Sequence, residues 1–212
     1  TPAFSFTGSD TGGSGVASFE CQVDGGGFST CTSGSAFGPL SDGSHTFDVR
    51  AIDNAGNTDA TPDSHTWVVD TTAPDTTITA TPSDPSNDNT PSFDFNSPDT
   101  TATFECRIDS GAFSACTSPN TLASLSDGSH TFYVRAIDPA GNTDASPAFF
   151  TWVVDASAPD TTIDSNPSDP SNDNTPTFGF SSLDSTATFE CAMDGGAFVA
   201  CTSTATFGPL AD

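Results

Sequence analysis

Cysteines, histidines and a dense set of aspartates are the residues of this 212-residue chain with chemistry to offer. The cysteines form three like-spaced pairs: Cys21 with Cys31, Cys106 with Cys116, and Cys191 with Cys201. Pairs of identical spacing read as a disulfide framework, which places the chain in an oxidising compartment, extracellular or at a cell surface. A zinc site needs four ligands, and two cysteines with no histidine near them do not supply them. His45 and His130 are equivalent positions of a repeat, and His65 corresponds to Phe150, so no histidine belongs to a unique polar cluster. Glu20, Glu105 and Glu190 each precede the first cysteine of a pair. No catalytic residue and no enzymatic activity is expected from this pattern. His45 and His130 read either as metal- or pH-sensing groups or as corner side chains bonded to nearby backbone.

The aspartates gather in loops. Asp53-x-Ala-Gly-Asn57-Thr-Asp59 recurs as Asp138-x-Ala-Gly-Asn142-Thr-Asp144, with acidic linkers at residues 70–75 and 155–160 and an acidic loop at 84–89. One junction would bring together Asp70, Asp75, Asp138 and Asn142, with Asp42 nearby. The next would bring together Asp84, Asp88, Asp127, Asp155 and Asp160. Ca²⁺ takes six to eight oxygens from flexible carboxylates and carbonyls, so Ca²⁺ at interdomain junctions is one reading of these sets. The other is that Asp, Asn and Gly are turn formers. Phe28, Phe113 and Phe198 recur beside an outward aspartate of the cysteine hairpin. Each is either a lateral contact between identical chains in a fibre or a ring turned inward by a bulge.

The elements that must position these groups belong to a tandem repeat. Phe-Glu-Cys at Phe19 returns at Phe104 and Phe189, an interval of 85 residues (104 − 19 and 189 − 104). The interval divides the chain into residues 1–73, a repeat lacking its first strand; 74–158, a complete repeat; and 159–212, a repeat truncated before its last two strands. The incomplete ends are expected of a window on a longer polypeptide, because a sandwich missing strands exposes sheet edges. Short alternating segments between Gly, Pro, Asn and Asp clusters predict an all-β sandwich. In the second copy the strands are expected at 76–80, 92–96, 101–108, 112–117, 121–125, 130–137 and 148–154. His130, Phe132, Val134 and Ala136 share one face of the sixth, and that face should be the core. Pairing Asp109 with Phe113 around a three-residue loop would set Cys106 directly opposite Cys116.

Charge narrows the partners. Lys+Arg is 3 against Asp+Glu 28, net −25, with no lysine. Such a chain repels nucleic acid and anionic membrane, which clustered basic residues recognise. No segment of it reads as inserting in a membrane.

Leu-Ser-Asp-Gly-Ser-His-Thr-Phe at Leu40 and Leu125 resembles the corner that leads into the sixth strand of fibronectin type III modules. The whole repeat resembles the bacterial Ig-like tandem repeats of large extracellular and cell-surface adhesins. That resemblance implies an all-β fold of tandem Ig-like, fibronectin III-like seven-stranded β-sandwiches, about 85 residues each and each with a local hairpin disulfide. It also implies a structural, non-catalytic segment of an adhesin stalk or extracellular filament. Its partners would be neighbouring repeats of the same chain, and identical chains in a fibre. Two other classes remain open at this point: a carbohydrate- or surface-binding module, and an accessory sandwich array of a secreted enzyme. Fold likeness alone does not choose among them.

Overall fold

The structure is a computed structural model that describes residues 2–210, so the outermost positions of the expected boundaries, 1, 211 and 212, lie outside it. Every element among the described residues is a strand, and no helix is long and apolar enough to cross a membrane. Two compact units can be separated. Among the described residues the first comprises 2–83, 90–123 and 129–152, the second 84–89, 124–128 and 153–210.

In the first unit, β1 (Val16–Val23), β2 (Ser29–Cys31), β3 (Gly43–Asp53) and β4 (Asp63–Val69) form an antiparallel sheet in the order β2-β1-β3-β4. The N-terminal segment adds only an isolated bridge, Ala3 to Ala36, rather than a full ladder. Its rings nevertheless close the core: Phe4 stacks on Phe47 at 4.2 Å and tilts against Trp67 at 5.0 Å.

The second copy supplies β5 (Thr77–Ala80), β6 (Ser92–Asn96), β7 (Thr103–Ile108), β8 (Ser114–Cys116), β9 (Asn120–Thr121), β10 (Gly128–Ile137) and β11 (Ala148–Val154). They form a sheet β5-β6-β9 and a sheet β11-β10-β7-β8. Alternation decides what lies between them, since successive strand residues point to opposite faces. Phe93 on β6 stacks on Phe132 of β10 at 4.2 Å and meets Trp152 of β11 at 5.2 Å. Phe93, Phe132, Val134, Ala136 and Trp152 are all fully buried. The β-sandwich expected from the alternation is therefore present. The strands expected at 92–96 and 148–154 are observed at those bounds, whereas the one expected at 121–125 shrinks to β9. After pairing Ser92↔Thr121 and Phe93↔Asn120, the chain leaves the ladder for the corner before β10.

The third copy repeats the pattern as β12 (Thr162–Ser165), β13 (Thr177–Ser181), β14 (Phe189–Cys191), β15 (Val199–Cys201) and β16 (Ala205–Thr206). Phe180 packs edge-on against Phe189 at 5.0 Å, as Phe95 does against Phe104 at 5.1 Å. Ile163, Phe178, Phe180, Phe189, Met193 and Phe207 line an open apolar cleft.

The disulfides Cys21–Cys31, Cys106–Cys116 and Cys191–Cys201 all form, each with Cα atoms 5.8 Å apart, between adjacent strands. Such bonds persist in a non-cytoplasmic, oxidising environment. Their register corrects the expected one. Cys106 lies opposite Ser114 and Cys116 opposite Phe104, so each disulfide runs diagonally across its hairpin. The reason is a turn placed earlier in the chain than expected. Asp109 adopts φ 50°, and the Gly111 amide donates to the Ile108 carbonyl at 2.9 Å, which places the turn over residues 108–111. Asp24 and Asp194 adopt φ 54° and 51° at the same point. Aspartate tolerates this left-handed conformation better than most residues do.

Candidate functional site

The acidic loops do meet at a junction, but through hydrogen bonds. The linker after β4 is held on one side by Asp42, whose carboxylate accepts from the Thr71 amide at 2.9 Å and from the Thr71 and Thr72 hydroxyls at 2.6 and 2.7 Å. On the other side the Asn142 side-chain amide donates to the Asp70 carbonyl at 3.0 Å. That amide also donates to Asp138 at 2.8 Å, and the Asn142 backbone N–H bonds the other Asp138 oxygen at 2.8 Å. Donation from Asn142 holds the Asp138 carboxyl below the usual carboxylate range, as the Thr71 and Thr72 hydroxyls do for Asp42. The Thr76 hydroxyl completes the link by accepting the Ala136 amide of β10 at 2.8 Å.

Of the first set, Asp70, Asp138 and Asn142 thus come together, Asp70 through its backbone carbonyl. Its carboxylate takes the Thr72 amide, and Asp75 turns to the amide of Thr76. In the second set the loop bearing Asp84 meets the strand end bearing Asp155, held by backbone groups. Asp84 accepts the Val153 amide at 3.0 Å, and the Asp155 amide donates to the Ser86 carbonyl at 2.9 Å. The Asp88 amide donates to the Ser86 hydroxyl, and Asp160 accepts the amide of Thr161. Asp127 repeats the role of Asp42 by accepting from the Ala156 amide and the Ser157 hydroxyl. Among the described residues, no three His, Cys, Asp or Glu side chains are grouped as metal ligands. Asp144, 4% exposed, gives one oxygen to Ser146 and leaves the other without a partner.

The corner histidine His45 does bond nearby backbone, as one of the sequence readings has it, but the aspartate partners of His45 and His130 went unread. Asp24, at the hairpin tip, accepts the Thr46 amide at 2.8 Å and lies 2.7 Å from Nδ1 of His45. Nε2 of His45 lies 2.7 Å from the Ser41 carbonyl. Both neighbours only accept, so satisfying both contacts requires the doubly protonated imidazolium. The Asp24 carboxylate, and then the Ser41 carbonyl, raise the His45 pKa, while His45 lowers that of Asp24. In the second copy Asp109 accepts the Thr131 amide at 2.8 Å and lies 2.9 Å from Nδ1 of His130. The signal was available in the pairing of Asp24 with His45 and of Asp109 with His130 at one repeat offset.

The hairpin phenylalanines face outward, and arginine rather than aspartate lies beside them. The Arg50 guanidinium sits 3.9 Å from the Phe28 ring centroid and pairs with Glu20 at 2.7 Å. In the second copy Arg135 sits 4.1 Å from Phe113 and pairs with Glu105 at 2.7 Å. The earlier turn carries Phe113 past Asp109 to lie alongside Arg107. Phe28 and Phe113 are therefore half-buried beneath guanidinium groups, whereas Phe198, with alanine at position 192 where the second copy has Arg107, is 69% exposed. No family model and no curated protein matches the chain.

Proposed function

We propose that the chain is a structural segment of a secreted or cell-surface adhesin stalk or extracellular filament, in which tandem sandwiches carry tension through clamped linkers. The observation that carries this reading is the linker itself: Asp42 holds Thr71 and Thr72, and Asn142 holds the carbonyl of Asp70. A flexible tether between independent modules has no use for hydrogen bonds from both flanking loops, whereas a stiff joint does. The recurrence of the corner aspartate as Asp127, acting on Ala156 and Ser157, supports the same role for the next linker. Self-repulsion from a net charge of −25 keeps such an array soluble. Neighbouring repeats are the primary partners, and the exposed ring of Phe198 is the candidate lateral contact between identical chains. Ca²⁺ at the joints would stiffen them further, on condition that Asp70 and Asp75 turn away from their present amide partners.

Pulling the chain by its ends tests the proposal. Each intact sandwich should resist and then unfold in a discrete event. Reduction of its disulfide should lengthen that event by roughly 30 Å, the span of about nine extended residues. Extension without discrete resistance would overturn the reading.

A further inference from the structure

The outer face of β11-β10-β7-β8 departs from the first copy most strongly along one row across its strands. In the first copy, Gln22, Asp48 and Ser64 form one row across adjacent strands, and the Gln22 amide donates to Asp48 at 2.9 Å. The equivalent positions of the second copy hold Arg107, Tyr133 and Phe149. Three neighbouring polar residues are thus replaced together by one cation and two rings. The fold does not require the exchange, because the first copy forms the same sheet without it.

The new row is open to solvent at one end and charged at the other. Phe149 is 66% exposed, and its ring centroid lies 5.8 Å from that of Tyr133. The Arg107 guanidinium lies 4.0 Å from the Tyr133 centroid and 5.0 Å from that of Phe113. Arg50 and Arg135 are each paired with a glutamate, but Arg107 has no carboxylate partner among the described residues. Its guanidinium donates to the Asp109 carbonyl at 3.1 Å, and its Nε is buried without an acceptor. In a chain with three Lys and Arg residues and a net charge of −25, a guanidinium without a carboxylate partner among the described residues, beside an exposed aromatic platform, is complementary to an anion.

We propose that this face binds a glycan through a carboxylate-bearing sugar residue. The C–H face of a pyranose ring lies against Phe149 and Tyr133, and the carboxylate takes the remaining terminal N–H groups of Arg107, a charge-assisted contact that suits a planar guanidinium. The chain's overall charge selects against polyanions, so the fitting ligand carries isolated carboxylates in an otherwise neutral glycan. A second copy of the chain is disfavoured on the same ground, since it would bring its own net charge of −25 to the interface.

The test is an NMR titration of the whole chain with methyl glucuronide, methyl glucoside and N-acetylphenylalanine, following the Arg107 Nε–H and the Tyr133 and Phe149 ring signals. Methyl glucuronide should shift all three at millimolar concentration, and methyl glucoside should bind roughly tenfold more weakly or worse. Arg107→Gln should abolish the preference for the acid. The triple variant R107Q/Y133D/F149S should abolish binding, and it is expected to fold because it installs residues that the first copy carries in the same sheet. Three results would each overturn the proposal: no shift with methyl glucuronide, equal binding by the folded triple variant, or tighter binding of N-acetylphenylalanine than of the sugar acid. Concentration-dependent sedimentation that is lost in the triple variant would assign the face to a second copy instead.

Discussion

Asn142→Ala, compared with Asn57→Ala, isolates the contribution of the linker joint. Both asparagines cap the aspartate of their own loop in the same way, Asn57 to Asp53 and Asn142 to Asp138, with side-chain bonds of 2.8 Å. Only Asn142 also reaches the preceding linker, at the carbonyl of Asp70. The loop contribution is therefore common to the two variants, and their difference reports the linker bond. An amide-to-carbonyl hydrogen bond contributes a net of about 0.5–1.5 kcal/mol. At about 1 kcal/mol the opening equilibrium of the linker changes roughly fivefold. A melting temperature is a blunt readout for a chain of several sandwiches, because it mixes transitions. Hydrogen exchange at the Thr71 and Thr72 amides, bonded to Asp42 and Asp70, reads the joint directly. Exchange there should quicken about fivefold in Asn142→Ala and stay unchanged in Asn57→Ala. Equal exchange in both variants, or none in either, would refute the reasoning that the joint is held by this bond.

The Asp24–His45 latch makes the first copy pH-sensitive on both sides. His45 has its pKa raised from 6.5, so its contribution is complete below that value and is lost as pH rises through the folded pKa. Asp24 has its pKa lowered from 3.8, so its contribution holds above that value and is lost as pH falls through the folded pKa. The latch should be strongest between about pH 4 and 6.5, and an NMR titration placing His45 at or below 6.5 would contradict it. Replacing Cys106 and Cys116 together by serine should cost about 2–3 kcal/mol, measurable as a lowered unfolding midpoint in urea. An unchanged midpoint would show that the β7–β8 hairpin stands without its bond. Hydrogen bonds close the first joint, so chelator and Ca²⁺ should give superimposable melting curves, and a rise with Ca²⁺ would show the joint carboxylates regrouping around an ion.

The repeat, the all-β class, the core face of β10 and the cysteine partners were legible from residue types and spacing. The physical reason is that these follow from local periodicity. A two-residue alternation sorts Phe132, Val134 and Ala136 from Thr131, Tyr133 and Arg135 whatever the rest of the chain does. Register was less legible. One left-handed aspartate moves the turn along the chain, and with it every cross-strand partner, so Cys106 faces Ser114, and Phe113 meets arginine where an aspartate was expected. The joints were half-read: the loops that meet were named, but whether carboxylates gather around an ion or each find an N–H depends on orientations that no spacing encodes. The row of Arg107, Tyr133 and Phe149 lies furthest from sequence reasoning. Its members come from three strands, and only the sheet sets them side by side and leaves one guanidinium without a carboxylate. By itself the sequence determined which residues are inside, which cysteines join and what repeats. The tertiary structure decided which polar groups are satisfied and which remain free to bind, because hydrogen-bond partners are assigned by long-range geometry.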